Sequence, residues 1–249
     1  MLKEAIEKIT DLARAEIRVV KVGDTEYLTK DVVPPPHPRE GPKLKALAVS
    51  TLTGFVEFVQ TKIPADQYST YMIHVGDHRT VVLLSDPQGF HKTREMPAYA
   101  QAEDLFTGGF KFNTFMPHSH FMIGLQTLFV EDAFDWVRVT RVISTIKEER
   151  VTQSQDDGLA QQVIAKAGVA VVADVEVPRI VTLKPYRTFR EVEQPHSQFV
   201  LRLQQKPNAL PEVALFEADG GKWKTDAIES IREYLEEQLG PDFGLPIIA

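Results

Sequence analysis

The sequence predicts an α+β fold: a largely antiparallel β-sheet in the second half, flanking helices and a C-terminal helix. Three observations predict it. Helical and strand patterns arrive in blocks instead of strict alternation. From Arg150 to Glu217 strand-forming residues dominate, broken by turn chemistry such as Asp156-Asp157-Gly158. The chain then ends on a single amphipathic helical pattern.

The elements follow in order. Leu2, Ala5, Ile6, Ile9, Leu12, Ala13 and Ile17 recur at helical spacing with charges between them. Arg18 to Val22 and Thr25 to Thr29 read as a hairpin around Gly23-Asp24. Pro34, Pro35, Pro36 and Pro38 forbid helix and sheet interior, so this stretch reads as a stiff extended spacer. Leu44 to Val49 is a strand, and Ser50 or Thr51 caps a helix through Lys62 that Pro64 stops. Leu52, Phe55, Val56, Val59 and Ile63 are its apolar face. Tyr71 to Val75 and Thr80 to Ser85 form a hairpin across Gly76-Asp77-His78-Arg79, with Thr93 to Ala98 as a third strand.

Pro117 suits the first turn of a helix carrying Phe121, Leu125, Leu128 and Phe129 on one face. A second helix runs from Asp132 to Ser144. Arg150 to Gln155, Leu159 to Lys166, Val169 to Val177, Arg179 to Arg187 and Gln198 to Gln204 continue as an antiparallel meander. Val213 to Glu217 is the last strand of this run. Asp226 with Glu229 reads as a capping box for a helix to Leu239, ended by Gly240-Pro241. Residues 1–40 form an N-terminal helix, hairpin and spacer, and residues 41–249 the main domain, with a sub-boundary near 146 or one continuous core.

The 249 residues are 43% hydrophobic and 25% charged, with a net charge of −7. That composition excludes disorder, collagen and coiled coil for the chain as a whole. The acidic balance disfavours a diffuse nucleic-acid coat, which needs the opposite sign. With no cysteine, disulfides, thiolate nucleophiles and Cys-ligated metals are excluded. The charged N-terminus and the short apolar runs predict a soluble, intracellular protein with no membrane partner.

The candidate chemistry is sparse. His118 and His120 have a metal-like spacing on a strand, yet a helix starting at Pro117 would make the two imidazoles diverge. Asp77, His78, His118, His120 and Asp156 are the first suspects for a carboxylate/histidine hydrolase. Phosphate-loop, dinucleotide-binding and nucleophile-elbow spacings are absent. Lys184, Tyr186, Arg187 and Arg190, with Arg179 and Arg202, offer guanidinium forks and a stacking ring to an anionic ligand. Trp136 and Trp223 read as core or interface anchors. No catalytic set and no cofactor is assigned.

Several segments carry a resemblance. They are Leu52 to Val59, Val75-Gly76-Asp77-His78-Arg79-Thr80, Phe121 to Phe129, Asp156-Asp157-Gly158, Lys184 to Phe189 and Ala214 to Gly221. In that order, over residues 40 to 240, the chain resembles a phage and prophage family, the YfdQ-like (DUF2303) family. The resemblance implies a phage or prophage accessory protein in the cytoplasm of an infected bacterial host. It transfers no catalytic residues. The leading expectation is therefore a non-enzymatic protein that binds and self-associates as a homo-oligomer. The alternatives are a sponge for an anionic nucleotide signal, a carboxylate/histidine hydrolase, and a single-stranded nucleic-acid-binding protein.

Overall fold

A computed structural model describes residues 3–8, 18–22, 25–29, 45–87, 93–131, 134–148, 150–156, 161–167, 170–204, 211–241 and 243–249. The Pro34–Pro38 tract and the Asp157-Gly158 turn lie outside the described residues. Residues 3–8 are helical (α1), and β1 (Arg18–Val22) pairs antiparallel with β2 (Thr25–Thr29).

The fold is α+β. Its first sheet has the order β13-β4-β5-β6-β3. β4 (Tyr71–Asp77), β5 (Thr80–Ser85) and β6 (Ala98–Gln101) are antiparallel neighbours. β3 (Leu47–Val49) and β13 (Ile247–Ile248) run parallel to β6 and β4 at the two edges. The sheet is thus mixed. The third antiparallel strand begins at Ala98, later than the sequence pattern predicts, because Pro97 has no N–H for the ladder.

Helices α2 (Leu52–Lys62) and α5 (Lys222–Leu239) pack on this sheet and on each other. Thr51 is the N-cap of α2, its hydroxyl accepting from Gly54 N–H at 3.2 Å. The predicted apolar face of α2 is the one buried, with Leu52, Phe55 and Val59 fully enclosed. α5 starts a turn earlier than the Asp226 capping box predicts. Gly220 and Gly221 both have positive φ, the helix begins at Lys222, and the extra turn buries Trp223. Asp226 instead accepts from Lys222 Nζ at 2.6 Å.

The second sheet is antiparallel, in the order β10-β11-β12. It comprises β10 (Ile180–Leu183), β11 (Ser197–Gln204) and β12 (Glu212–Glu217). Helices α3 (His118–Leu128) and α4 (Phe134–Glu148) pack against each other and cover it. A further antiparallel sheet holds β7 (Arg150–Asp156), β8 (Gln161–Ala167) and β9 (Ala170–Val177). α4 touches β7 and β9.

Two apolar cores result. The first gathers residues from Leu52 to Ala102, then Phe189 and Val192, then α5 and Leu245. The second gathers residues from Phe110 to Ile143, then Val177 to Leu215. The chain therefore passes from one core to the other between Ala102 and Phe110, and the loop after β10 reaches back into the first.

Candidate functional site

The basic stretch after β10 is not the solvated strand that its alternation suggests. β10 ends at Leu183. Beyond it the backbone bonds to the end of α3: Val130 N–H donates to Lys184 O and Tyr186 N–H to Leu128 O, each at 2.9 Å. Residues 184–189 then cross between the two cores and are mostly buried.

Arg187 occupies the centre of that crossing, 7% exposed. Its guanidinium is sandwiched between rings from both sides, 3.9 Å from the Phe112 centroid and 4.4 Å from that of Trp223. Phe199 and Phe106 stand further off, at 5.4 and 6.0 Å. Nη1 donates to Glu217 Oε1 at 2.8 Å. Asn113 holds the other carboxylate oxygen through Nδ2 at 3.3 Å, and its Oδ1 accepts from Glu217 N–H. Asn113 has φ 61°, a left-handed conformation that asparagine tolerates better than most residues. Burial pulls the Arg187 pKa below the usual guanidinium value, while Glu217 and then Asp219 oppose that shift. Arg187 Nη2 and Asp219 Oδ2 are both buried and have no hydrogen-bond partner.

The neighbours lock this geometry. Gln194, itself buried, accepts from Arg187 N–H and Thr188 N–H through Oε1. Its Nε2 donates to Phe189 O and Val192 O. Thr188 Oγ1 donates to His78 O at 2.6 Å, and the His78 ring meets Trp223 edge-on at 4.7 Å. Burial lowers the His78 pKa. Asp77 opposes this, and Arg79, Lys224 and Arg187 reinforce it.

The other residues of the expected anion site are scattered in role. Lys184 is buried and pairs with Glu193 at 3.0 Å. Arg190 is exposed and stacks over Tyr186 at 3.8 Å. Arg179 is exposed, and Arg202 is half-buried on β11 opposite Ala214. The six are not one surface: Arg187 and Lys184 are buried and paired with Glu217 and Glu193, which leaves Tyr186 with Arg190 as the outward-facing pair.

The hydrolase suspects are likewise apart. Both oxygens of Asp77 accept from its own turn, from Arg79 N–H and Thr80 Oγ1. His118 is buried in the other half, where Nε2 donates to Ile143 O at 2.8 Å and ties α3 to α4. His120 is exposed two residues further along α3, so the pair diverges. Asp156 ends β7, opposite Gln161. Among the described residues no three His, Cys, Asp or Glu side chains are grouped to hold a metal ion. Trp223 is core-like, and Trp136 is half-buried with Nε1 donating to Leu125 O.

An open groove of about 770 Å³ lies at the C-terminal end of α5, lined by Leu239, Phe243, Leu245 and Ile247, with Ser69 and Glu236 as polar groups. Neither the basic stretch nor the histidines reach it. Sequence reasoning missed Glu217, Asn113 and Gln194, which set the state of Arg187. The signal available was Pro185, which breaks a strand reading and places Arg187 in a connection. Among the described residues no helix is long and apolar enough to cross a membrane. In comparisons with known proteins, the chain matches no family model, no curated protein and no solved structure.

Proposed function

We propose that the chain acts by binding and self-association, as a phage or prophage accessory protein that makes and breaks no covalent bonds. One observation carries this reading. The β7-β8-β9 sheet has seven- and eight-residue outer strands, and among the described residues each pairs only with β8. Unpaired edges of that length are templates for strand addition from another chain. The edges of the β10-β11-β12 sheet are managed differently. Asp135 Oδ2 accepts from Thr182 N–H on β10, and residues 113–116 bond along β12. Exposed Ile123 on α3 and Val137 on α4 add apolar surface. The imidazoles and acids suspected of hydrolysis lie on separate elements, which weakens that alternative.

Light scattering during size-exclusion chromatography at micromolar concentration tests it. A dimer or larger species is expected, and a strict monomer overturns the proposal. The nucleotide-sponge reading retains one foothold, the exposed Arg190 stacked on Tyr186. Thermal shift against a nucleotide panel checks it, since a ligand that binds the native state raises the melting temperature. Single-stranded nucleic-acid binding draws less support, because it needs exposed aromatic platforms. No aromatic ring among the described side chains is strongly exposed.

A further inference from the structure

A column of side chains runs between the two cores. From the second core outward it runs Phe112, Arg187, Trp223, His78, with separations of 3.9, 4.4 and 4.7 Å. Phe112 stacks in turn on Phe199 of β11, and His78 sits at the tip of the β4–β5 hairpin of the first sheet. The column is polar as well as aromatic. Arg187 is fastened to Glu217 and Thr188 to the His78 carbonyl. We propose that this column is a proton-operated latch: protonation of His78 loosens the hairpin tip from Trp223 and Arg187, and so uncouples the two cores while each stays folded.

Charged groups face the imidazole from several elements. Its own hairpin contributes Asp77 and Arg79, α5 contributes Lys224, and the crossing loop contributes Arg187. Asp104 also faces it, but is committed to Arg79 at 2.5 Å. Asp77 is committed to its turn. Glu217 is committed to Arg187. A new positive charge on a half-buried His78 therefore meets the cations of Arg79, Lys224 and Arg187, with the Asp77 carboxylate alone in its favour. The Trp223 ring, which would otherwise welcome a cation, already has Arg187 over it at 4.4 Å and Lys224 at 5.6 Å.

The sign follows from linkage. The unfolded histidine titrates near its ordinary value of about 6.5, and the folded one below it. Between those values the unfolded chain binds the extra proton. Stability from this site is thus complete above about pH 6.5 and is lost as pH falls through the folded pKa.

The test uses the full chain carrying Trp136→Phe, so that Trp223 is the sole indole, with and without His78→Gln. Acrylamide quenching of Trp223 is read at about pH 7.5 and about pH 5.5, on either side of the histidine range. Quenching is expected to rise severalfold on acidification when His78 is present and to stay level in the H78Q chain. Equal quenching at the two pH values with His78 present, or the same rise without the imidazole, overturns the latch. Should Trp136→Phe fail to fold, melting temperatures of the wild type and H78Q decide. The variant is expected to gain on the wild type as pH falls, and parallel curves overturn the proposal.

Discussion

The two cores are built from different materials. The first is a helix-on-sheet core, mostly aliphatic, with Phe55 and Phe189 buried singly in it. The alanines Ala98 and Ala100 of β6, with Ala102 just beyond, keep the surface low where α2 packs on that strand. The second adds a phenylalanine cluster to its aliphatic side chains. Phe106, Phe110, Phe112 and Phe129 meet at centroid separations of 5.0 to 6.1 Å, several of them edge-to-face. Three of these rings come from the irregular segment between β6 and α3. Regular elements can bury a stripe because their period presents it. A loop buries rings only where each one finds its own neighbour. The second core should therefore tolerate change less well than the first, and the Arg187 junction less well than either.

The largest effect is expected at the junction. Arg187→Ala removes the charge that satisfies Glu217 and opens a gap between Phe112 and Trp223. Truncating a buried side chain of this size costs about 2–5 kcal/mol, and Glu217, partly exposed, stays solvated when its partner is lost. Arg187→Lys keeps the charge but loses the planar stack, so it should recover only part of that. Urea unfolding measures both. A loss under about 1 kcal/mol for the alanine variant would mean that the cores are joined elsewhere.

The next effect separates the cores. Gly124 sits inside α3, and a Cβ there would overlap the Phe110 ring. Phe110 is 5% exposed and ringed by Phe106, Phe112, Phe121 and Phe129, so it has little room to yield. Glycine to alanine in a helix normally gains up to about 1 kcal/mol. Here overpacking of about 1–3 kcal/mol opposes that gain, and a net loss is expected. A Gly124→Ala protein more stable than the wild type in the same urea titration would show that the cluster is soft and would remove the contrast between the cores.

The same contrast governs what is legible in the sequence. The α2 face, the β4–β5 hairpin and the β7–β9 meander are legible because apolar period or turn residues mark them directly. The parallel edges β3 and β13 are not, since pairing direction leaves no local pattern. Lys184 to Arg190 misleads for a physical reason. Alternating charge and ring reads as an exposed strand face, and only the distant partners Glu217, Gln194 and Trp223 turn it inward. The pattern also places the start of α5 late, because Asp226 and Glu229 mimic a capping box, whereas burial of Trp223 extends the helix backwards.

The smallest effect probes how firmly the crossing loop grips the first core. The N-terminus of α2 has two caps from different parts of the chain. Thr51 serves Gly54 N–H locally, and Glu191, in the loop after Arg187, accepts from Leu52 N–H at 2.8 Å. Losing one cap costs about 0.5–2 kcal/mol where it stands alone. Because they serve different donors, Thr51→Ala and Glu191→Ala are each expected at the low end, about 0.5–1 kcal/mol. Their sum should hold in the double variant to within about 0.5 kcal/mol. A silent Glu191→Ala would leave Phe189 and Val192 as the loop's grip on that core, since both are buried in it. A double variant that loses more than the sum would mean instead that either residue can serve the orphan donors alone. In that case the cap of α2 is insulated from movements of the crossing loop, as a redundant cap should be.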